Sequence, residues 1–263
     1  MYDLDTGEMC FEELIGGDPS QYIKANEVIQ NEDGTRYAIV YFDDGKFRLR
    51  VFGNKQRTKK QIENSEVKIN EIICLDDNTM CNDEFPNPFI TCCFLYDNLI
   101  FVTFFHNYSQ THYHFIYNCM SKKFIGDADG YLVSMKMDCS SKNFPLKCFF
   151  NAEKNQIYSF YRQGQVFVID ADDLTKYRYE RMTDLDLGQM VLINGEALIV
   201  RSSCRILFFK QETDKETQRT TWNLYDEIQV RGFIYYIKGN DRVQITTDEL
   251  IYFYLIDMET FIP

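Results

Sequence analysis

Residues 146–170 read LKCFFNAEKNQIYSFYRQGQVFVID, and this stretch decides the fold. It divides into three short strands, Leu146–Asn151, Gln156–Arg162 and Gln165–Asp170, parted by Glu153-Lys-Asn155 and Gln163-Gly164. Phe, Tyr, Val and Ile suit the half-buried faces of a sheet, and Asn and Gly accept the backbone of a tight turn. Three consecutive antiparallel strands follow from that alternation of strand and turn.

The same triplet recurs along the chain. The first copy runs from about Tyr22 to Phe52, with turns at Asn31-Glu-Asp-Gly34 and Asp43-Asp-Gly45 and strands Tyr37–Phe42 and Phe47–Phe52. The second has Phe89–Tyr96, Leu99–Phe105 and His112–Tyr117. Residues 146–170 are the third. The fourth has Gln189–Ile193, Glu196–Arg201 and Cys204–Lys210, and the fifth Gly232–Lys238, Arg242–Thr246 and Leu250–Asp257. In every copy the two turns lie about 8–11 residues apart, the spacing of consecutive hairpins. Gln56–Pro88 and Gly126–Phe144 are read as fourth strands with insertions. Leu99–Phe105 is apolar almost throughout, as in a strand covered on both faces, with Phe101 expected in the core. Ile39 is a second expected core residue. Phe47–Phe52 instead alternates, with Phe47, Leu49 and Val51 on one face and Arg48 and Arg50 on the other. Nowhere do apolar residues recur at helical spacing over three turns.

These repeated meanders resemble the blades of β-propellers of the broad WD40-like class, over nearly the whole chain. The resemblance implies an all-β propeller of about five four-stranded antiparallel blades in a single domain, residues 1–263. The Gly-His and Trp-Asp pairs of that class are missing here, and Trp222 is the single tryptophan, so no functional residue carries across. Tyr2–Glu8 reads as the end of a third strand and its turn, leading to a further strand at Met9–Leu14. The expectation is that Met9–Leu14 pairs antiparallel with Leu250–Ile256 and closes the ring, leaving no exposed edge. The alternative is a segment of a longer propeller.

Charge and cysteine usage narrow the function. The chain carries 28 basic and 40 acidic residues, a formal charge of −12, which repels nucleic acid and anionic lipid on average. The basic run Lys55–Lys60 reads as a solvated loop, with Glu63 and Glu66 following. The nine cysteines show no Cys-x-x-Cys spacing and mostly sit in apolar runs, as reduced thiols do. Met1–Asp5 gives neither a basic start nor an apolar signal core, and no apolar stretch approaches the length of a membrane span. An intracellular, reducing, cytoplasmic setting is expected, with no membrane insertion.

Chemistry is sparse. No phosphate loop, nucleophile elbow or His-Glu-x-x-His occurs. His106, His112 and His114 are the sharpest constellation: His112 and His114 share a strand face, and His106 lies roughly opposite His112 if the hairpin turns through Asn107–Thr111. Three imidazoles suit zinc or copper. The competing reading places the three on the wet face of an outer hairpin, with Tyr113, Phe115 and Tyr117 packing on the other. Gly126-Asp-Ala-Asp-Gly130 resembles the start of a calcium loop but lacks the third ligand and the bidentate Glu, and reads as an acidic turn. Cys92 and Cys93 point to opposite sides of a strand and suit packing between blades. The sequence therefore assigns no catalytic, cofactor-binding or metal-binding residue and no cofactor. It points to a non-enzymatic protein-interaction scaffold, a propeller subunit of a larger protein assembly. The alternative is a glycosidase-like five-bladed enzyme using channel carboxylates, with Glu27 as a donor.

Overall fold

The computed structural model describes residues 25–31, 36–43, 46–53, 69–75, 90–96, 98–106, 111–121, 123–125, 133–135, 143–193, 195–214, 220–237, 242–246 and 251–255. All regular structure among them is β. No helix there is long and apolar enough to cross a membrane. The chain divides into two units, Met1–Asn87 and Pro88–Pro263.

The first unit holds one antiparallel sheet: β1 (Ala25–Gln30), β2 (Arg36–Asp43), β3 (Lys46–Gly53) and β4 (Ile69–Leu75), in that order. β4 falls in the Gln56–Pro88 interval, as expected of an inserted fourth strand. Leu49 and Val51 of the alternating strand are buried, as are Ala38 and Ile29. Asn31 closes the β1–β2 hairpin: its Oδ1 accepts the Arg36 N–H at 2.8 Å, and its own N–H donates to the Arg36 carbonyl at 3.1 Å.

Among the described residues, the second unit holds four sheets in chain order. The first comprises β5 (Ile90–Leu95), β6 (Leu99–His106) and β7 (Thr111–Asn118), followed by β8 (Lys123–Ile125) and β9 (Val133–Met135). The next is β10 (Pro145–Asn151), β11 (Gln156–Tyr161), β12 (Gln165–Asp170) and β13 (Tyr177–Arg181). β14 (Met190–Ile193), β15 (Ala197–Ser202), β16 (Arg205–Thr213) and β17 (Thr220–Ile228) make the third. β18 (Phe233–Ile237), β19 (Arg242–Thr246) and β20 (Ile251–Leu255) make the last.

Side-chain alternation decides how these sheets stack. On β15, Leu198 and Val200 enter a core with Tyr158, Phe160, Val166 and Val168 of the preceding sheet. The intervening Ala197 and Ile199 enter another core, with Ile234 and Ile245 of the following sheet. β12 divides in the same way: Val166 and Val168 face forward, Phe167 and Ile169 face back to Leu95, Phe101 and Ile116. β12 and β15 are therefore apolar on both faces because a sheet lies against each. Cys93 packs into one of these cores and the adjacent Cys92 is buried on the other face. The edge strands β13 and β17 read differently, with Tyr177, Tyr179 and 223–227 exposed.

Polar side chains tie neighbouring sheets. Gln189 meets the Ile234 backbone twice, its Nε2 donating to the carbonyl at 2.6 Å and its Oε1 accepting the N–H at 2.9 Å. Lys154, in the β10–β11 turn, donates to Gln211 Oε1 at 2.8 Å. Gly164 turns the β11–β12 hairpin at φ +73°, and a Cβ there would collide with the Thr183 carbonyl oxygen.

One sequence expectation needs correcting. The fourth strand of the β5–β7 sheet is split: β8 pairs with the C-terminal part of β7 and β9 with its N-terminal part. β7 is thus flanked along both edges and is no outer strand. Met9–Leu14, on which ring closure turned, the basic run Lys55–Lys60, the acidic turn Gly126–Gly130 and the side chain of Ile39 lie outside what is described.

Phe101→Ala should destabilise the second unit by about 3–5 kcal/mol in urea denaturation, because lost transfer energy and a cavity add at a fully buried ring. Gly164→Ala should cost about 1–3 kcal/mol through strain at positive φ and the Thr183 clash. A change below about 0.5 kcal/mol in either would show that these sheets do not pack as described.

Candidate functional site

The face of the β5–β7 sheet that meets β10 and β11 carries an unusual run of polar residues. Directly opposed partners across antiparallel strands share a face, and His114 opposes Thr103, which opposes Thr91. On the facing sheet Cys148 opposes Ser159. The two rows meet where Thr91 Oγ1 approaches Cys148 Sγ at 3.8 Å. A polar seam thus runs from β7 through β6, β5 and β10 to β11, beside the apolar cluster of Cys93, Leu95, Phe101, Ile116, Ile157 and Ile169.

His112 and His114 are both 0% exposed, which corrects the wet-face expectation. The physical cause is twofold. β9 covers the outer edge of β7 beside them, and the next sheet closes their face. The ring of Tyr161 meets His112 edge-on at 4.8 Å, and Phe105 lies 4.6 Å from it. Phe115 and Tyr117, on the opposite face of β7, are buried too. His114 Nε2 lies 3.0 Å from the Leu174 carbonyl. A carbonyl only accepts, so Nε2 carries the proton and Nδ1 faces the interior as a bare acceptor. Among the described residues, that Nδ1, Thr103 Oγ1 and Ser159 Oγ have no hydrogen-bond partner.

Burial, and then the nearby His114, holds the His112 pKa down at about 3. Burial holds His114 at about 4, although its bond to the Leu174 carbonyl favours the charged form. Both imidazoles are neutral at pH 7 and aromatic in their packing. His106 ends β6 opposite Thr111, and its side chain is not among those described. No three His, Cys, Asp or Glu side chains among the described residues are placed to hold a metal ion.

The second arrangement lies at one end of the strands, where second strands turn into third strands and each sheet links to the next. Arg162 and Arg201 occupy equivalent places at the ends of β11 and β15. Arg162 N–H bonds the Phe144 carbonyl at 3.0 Å, and Arg201 N–H bonds the Gln189 carbonyl at 2.8 Å. Each guanidinium also lies over a phenyl ring. Arg162 is 5.4 Å from the centroid of Phe144, and Arg201 is 4.8 Å from that of Phe233 in the next sheet. Phe233 is half exposed, and Arg231 and Arg205 lie beside these strand ends. Sequence reasoning passed over this set. Its signal was available, since the second strands of the third and fourth copies both end in arginine.

No family model and no curated protein matches the chain. Solved structures do. The β-propeller domain of Myceliophteria thermophila Cps50 (Swd1) is similar with a TM-score of 0.59 and 9% identity, over 97% of this chain and 75% of that one. A chain in the crystal structure of a mitotic checkpoint complex is similar with a TM-score of 0.52 and 9% identity, over 96% of this chain and 69% of that one. The chain has a fold of the WD40-like β-propeller class.

The seam makes stability depend on pH. The unfolded chain protonates both histidines near pH 6.5, whereas the folded chain holds them neutral down to about 4 and 3. The unfolded state therefore binds more protons in that window. Their contribution is whole above pH 6.5 and is lost progressively as the pH falls below it, each adding up to about 1.4 kcal/mol per pH unit to the slope. Urea midpoints should fall from pH 7 to pH 5, and His114→Leu should flatten that fall. A slope unchanged by the substitution would contradict a buried neutral His114.

Proposed function

We propose that the chain is a non-enzymatic protein-interaction scaffold, a five-bladed β-propeller subunit of a larger protein assembly. The observation that carries this reading is where the structure spends its side chains. The sheet-to-sheet cores consume the apolar residues, while large apolar and arginine side chains remain exposed at strand ends and edges: Tyr96, Met120, Tyr179, Leu224, Phe233 and Arg231. Aromatic residues, Met and Arg are the types enriched at protein interfaces. The likeness to a chain of the mitotic checkpoint complex supports the same reading by analogy of fold.

The glycosidase-like alternative draws no support from the inner strands. β5, β10, β14 and β18, the first strands of their sheets, contain no carboxylate, and Glu27 of β1 is the one such residue on a first strand. A pair of carboxylates across a glycosidic bond is what that chemistry requires.

The test is the native size of the protein. Tagged at its own locus, cross-linked and sized from gentle extracts of its source cells, it should run in a complex well above the mass of a 263-residue monomer. Recovery of the monomer alone, with no cross-linked partner, would overturn the scaffold reading.

A further inference from the structure

We propose that the strand ends bearing Arg162, Arg201, Arg231 and Phe233 dock an acidic peptide segment of a partner protein. Its carboxylates pair with Arg201 and Arg231, and an apolar side chain lies on Phe233. The inference rests on the scaffold reading and names the partner chemistry of one surface.

Charge is the first argument. The chain carries −12 overall, yet at this end the described strand ends and links hold Arg162, Arg181, Arg201, Arg205 and Arg231 against Asp184, Asp186 and Glu227. Those carboxylates are already engaged. Asp186 lies 3.6 Å from Arg162, and Asp184 lies 2.7 Å from Arg181. Arg205 takes Glu227 at 3.3 Å. Arg201 and Arg231 have no carboxylate partner among the described residues, so two cations of the patch lack the counter-charge that the others have. A guanidinium offers a planar fork matched to a carboxylate, and an aromatic ring beside it adds an apolar contact.

Preorganisation is the second argument. Arg201 is held at both ends of its peptide unit, its N–H by Gln189 and its carbonyl by the Gly188 N–H at 2.7 Å. Its guanidinium rests on Phe233, and Phe233 is placed by the two hydrogen bonds between Gln189 and Ile234, next in sequence. At Arg201 and Phe233 little side-chain freedom remains to be lost on binding, which lets a short segment bind. A nucleic acid would meet the same arginines but brings a phosphate at every nucleotide against the field of the whole chain, whereas a peptide segment needs only two carboxylates and one apolar side chain to meet Arg201, Arg231 and Phe233.

The test uses the purified full chain and a fluorescein-labelled synthetic peptide of about twelve residues, mixing Asp and Glu around one Phe. Fluorescence anisotropy should report saturable binding that weakens as salt rises. The double variant Arg201→Glu, Arg231→Glu should weaken it at least about tenfold, and Phe233→Ala about threefold or more. Circular dichroism would confirm that both variants fold, as expected with Arg231 and Phe233 exposed and Arg201 partly so. Absence of peptide binding, binding indifferent to the variants, or equal binding of an oligothymidylate would each overturn the proposal. If the native complex persists when the peptide fails, the acidic segment alone is wrong. If the protein proves to be a lone monomer, the scaffold reading falls with it.

Discussion

Burying both faces of a sheet is the constraint from which the rest follows. A strand whose side chains alternate between two cores cannot slip by one residue without exchanging those cores, so the register of β11, β12, β15 and β16 is fixed from both sides at once. At roughly 25 cal/mol per Å2 of apolar surface removed from water, each large side chain so placed contributes a few kcal/mol. This explains why β12 and β15 carry few polar residues between their ends and why polarity appears on β13 and β17.

The histidine seam departs from that rule. Between β10–β13 and β14–β17 the core is built of large side chains such as Tyr158, Phe160, Phe209 and Trp222. One sheet earlier, Thr91, Thr103, His112, His114, Cys148 and Ser159 stand in the corresponding layer. Polar atoms buried there contribute less than apolar ones and cost free energy where no protein partner meets them. The two imidazoles lower that cost by staying neutral and packing as rings, with Leu174 supplying one acceptor. The seam is a joint held by shape and by a neutral protonation state.

Much of the fold was legible because turns are chemically marked. Asn155 at φ +50° and Gly164 at φ +73° sit where strand runs break in the sequence, and β10, β11 and β12 begin and end within a residue of those runs. The split fourth strand was not legible. Three residues such as Lys123–Ile125 or Val133–Met135 carry no readable period, and without them β7 looked like an edge. The misplacement of His112 and His114 on a wet face followed directly from that gap. The alternation of β7 correctly placed the two on one face, but alternation does not say what lies opposite. Arg162 and Arg201 were visible as strand-final arginines. Their equivalence became evident only once the backbone bonds to Phe144 and Gln189 aligned them.

Gln189 gives the assembly a mechanical character. Its side-chain amide meets a backbone amide in the two-way manner of a strand pair, so it acts as one rung of a ladder laid between sheets. Apolar cores resist separation, but each dispersion contact has little direction. A rung with fixed donor and acceptor directions adds an orientation to that contact. It ties β18 to the residue that leads into β14, whose carbonyl in turn accepts the Arg201 N–H of β15. Displacing Phe233, next to Ile234 in the chain, would therefore stretch two directed hydrogen bonds as well as part apolar contacts.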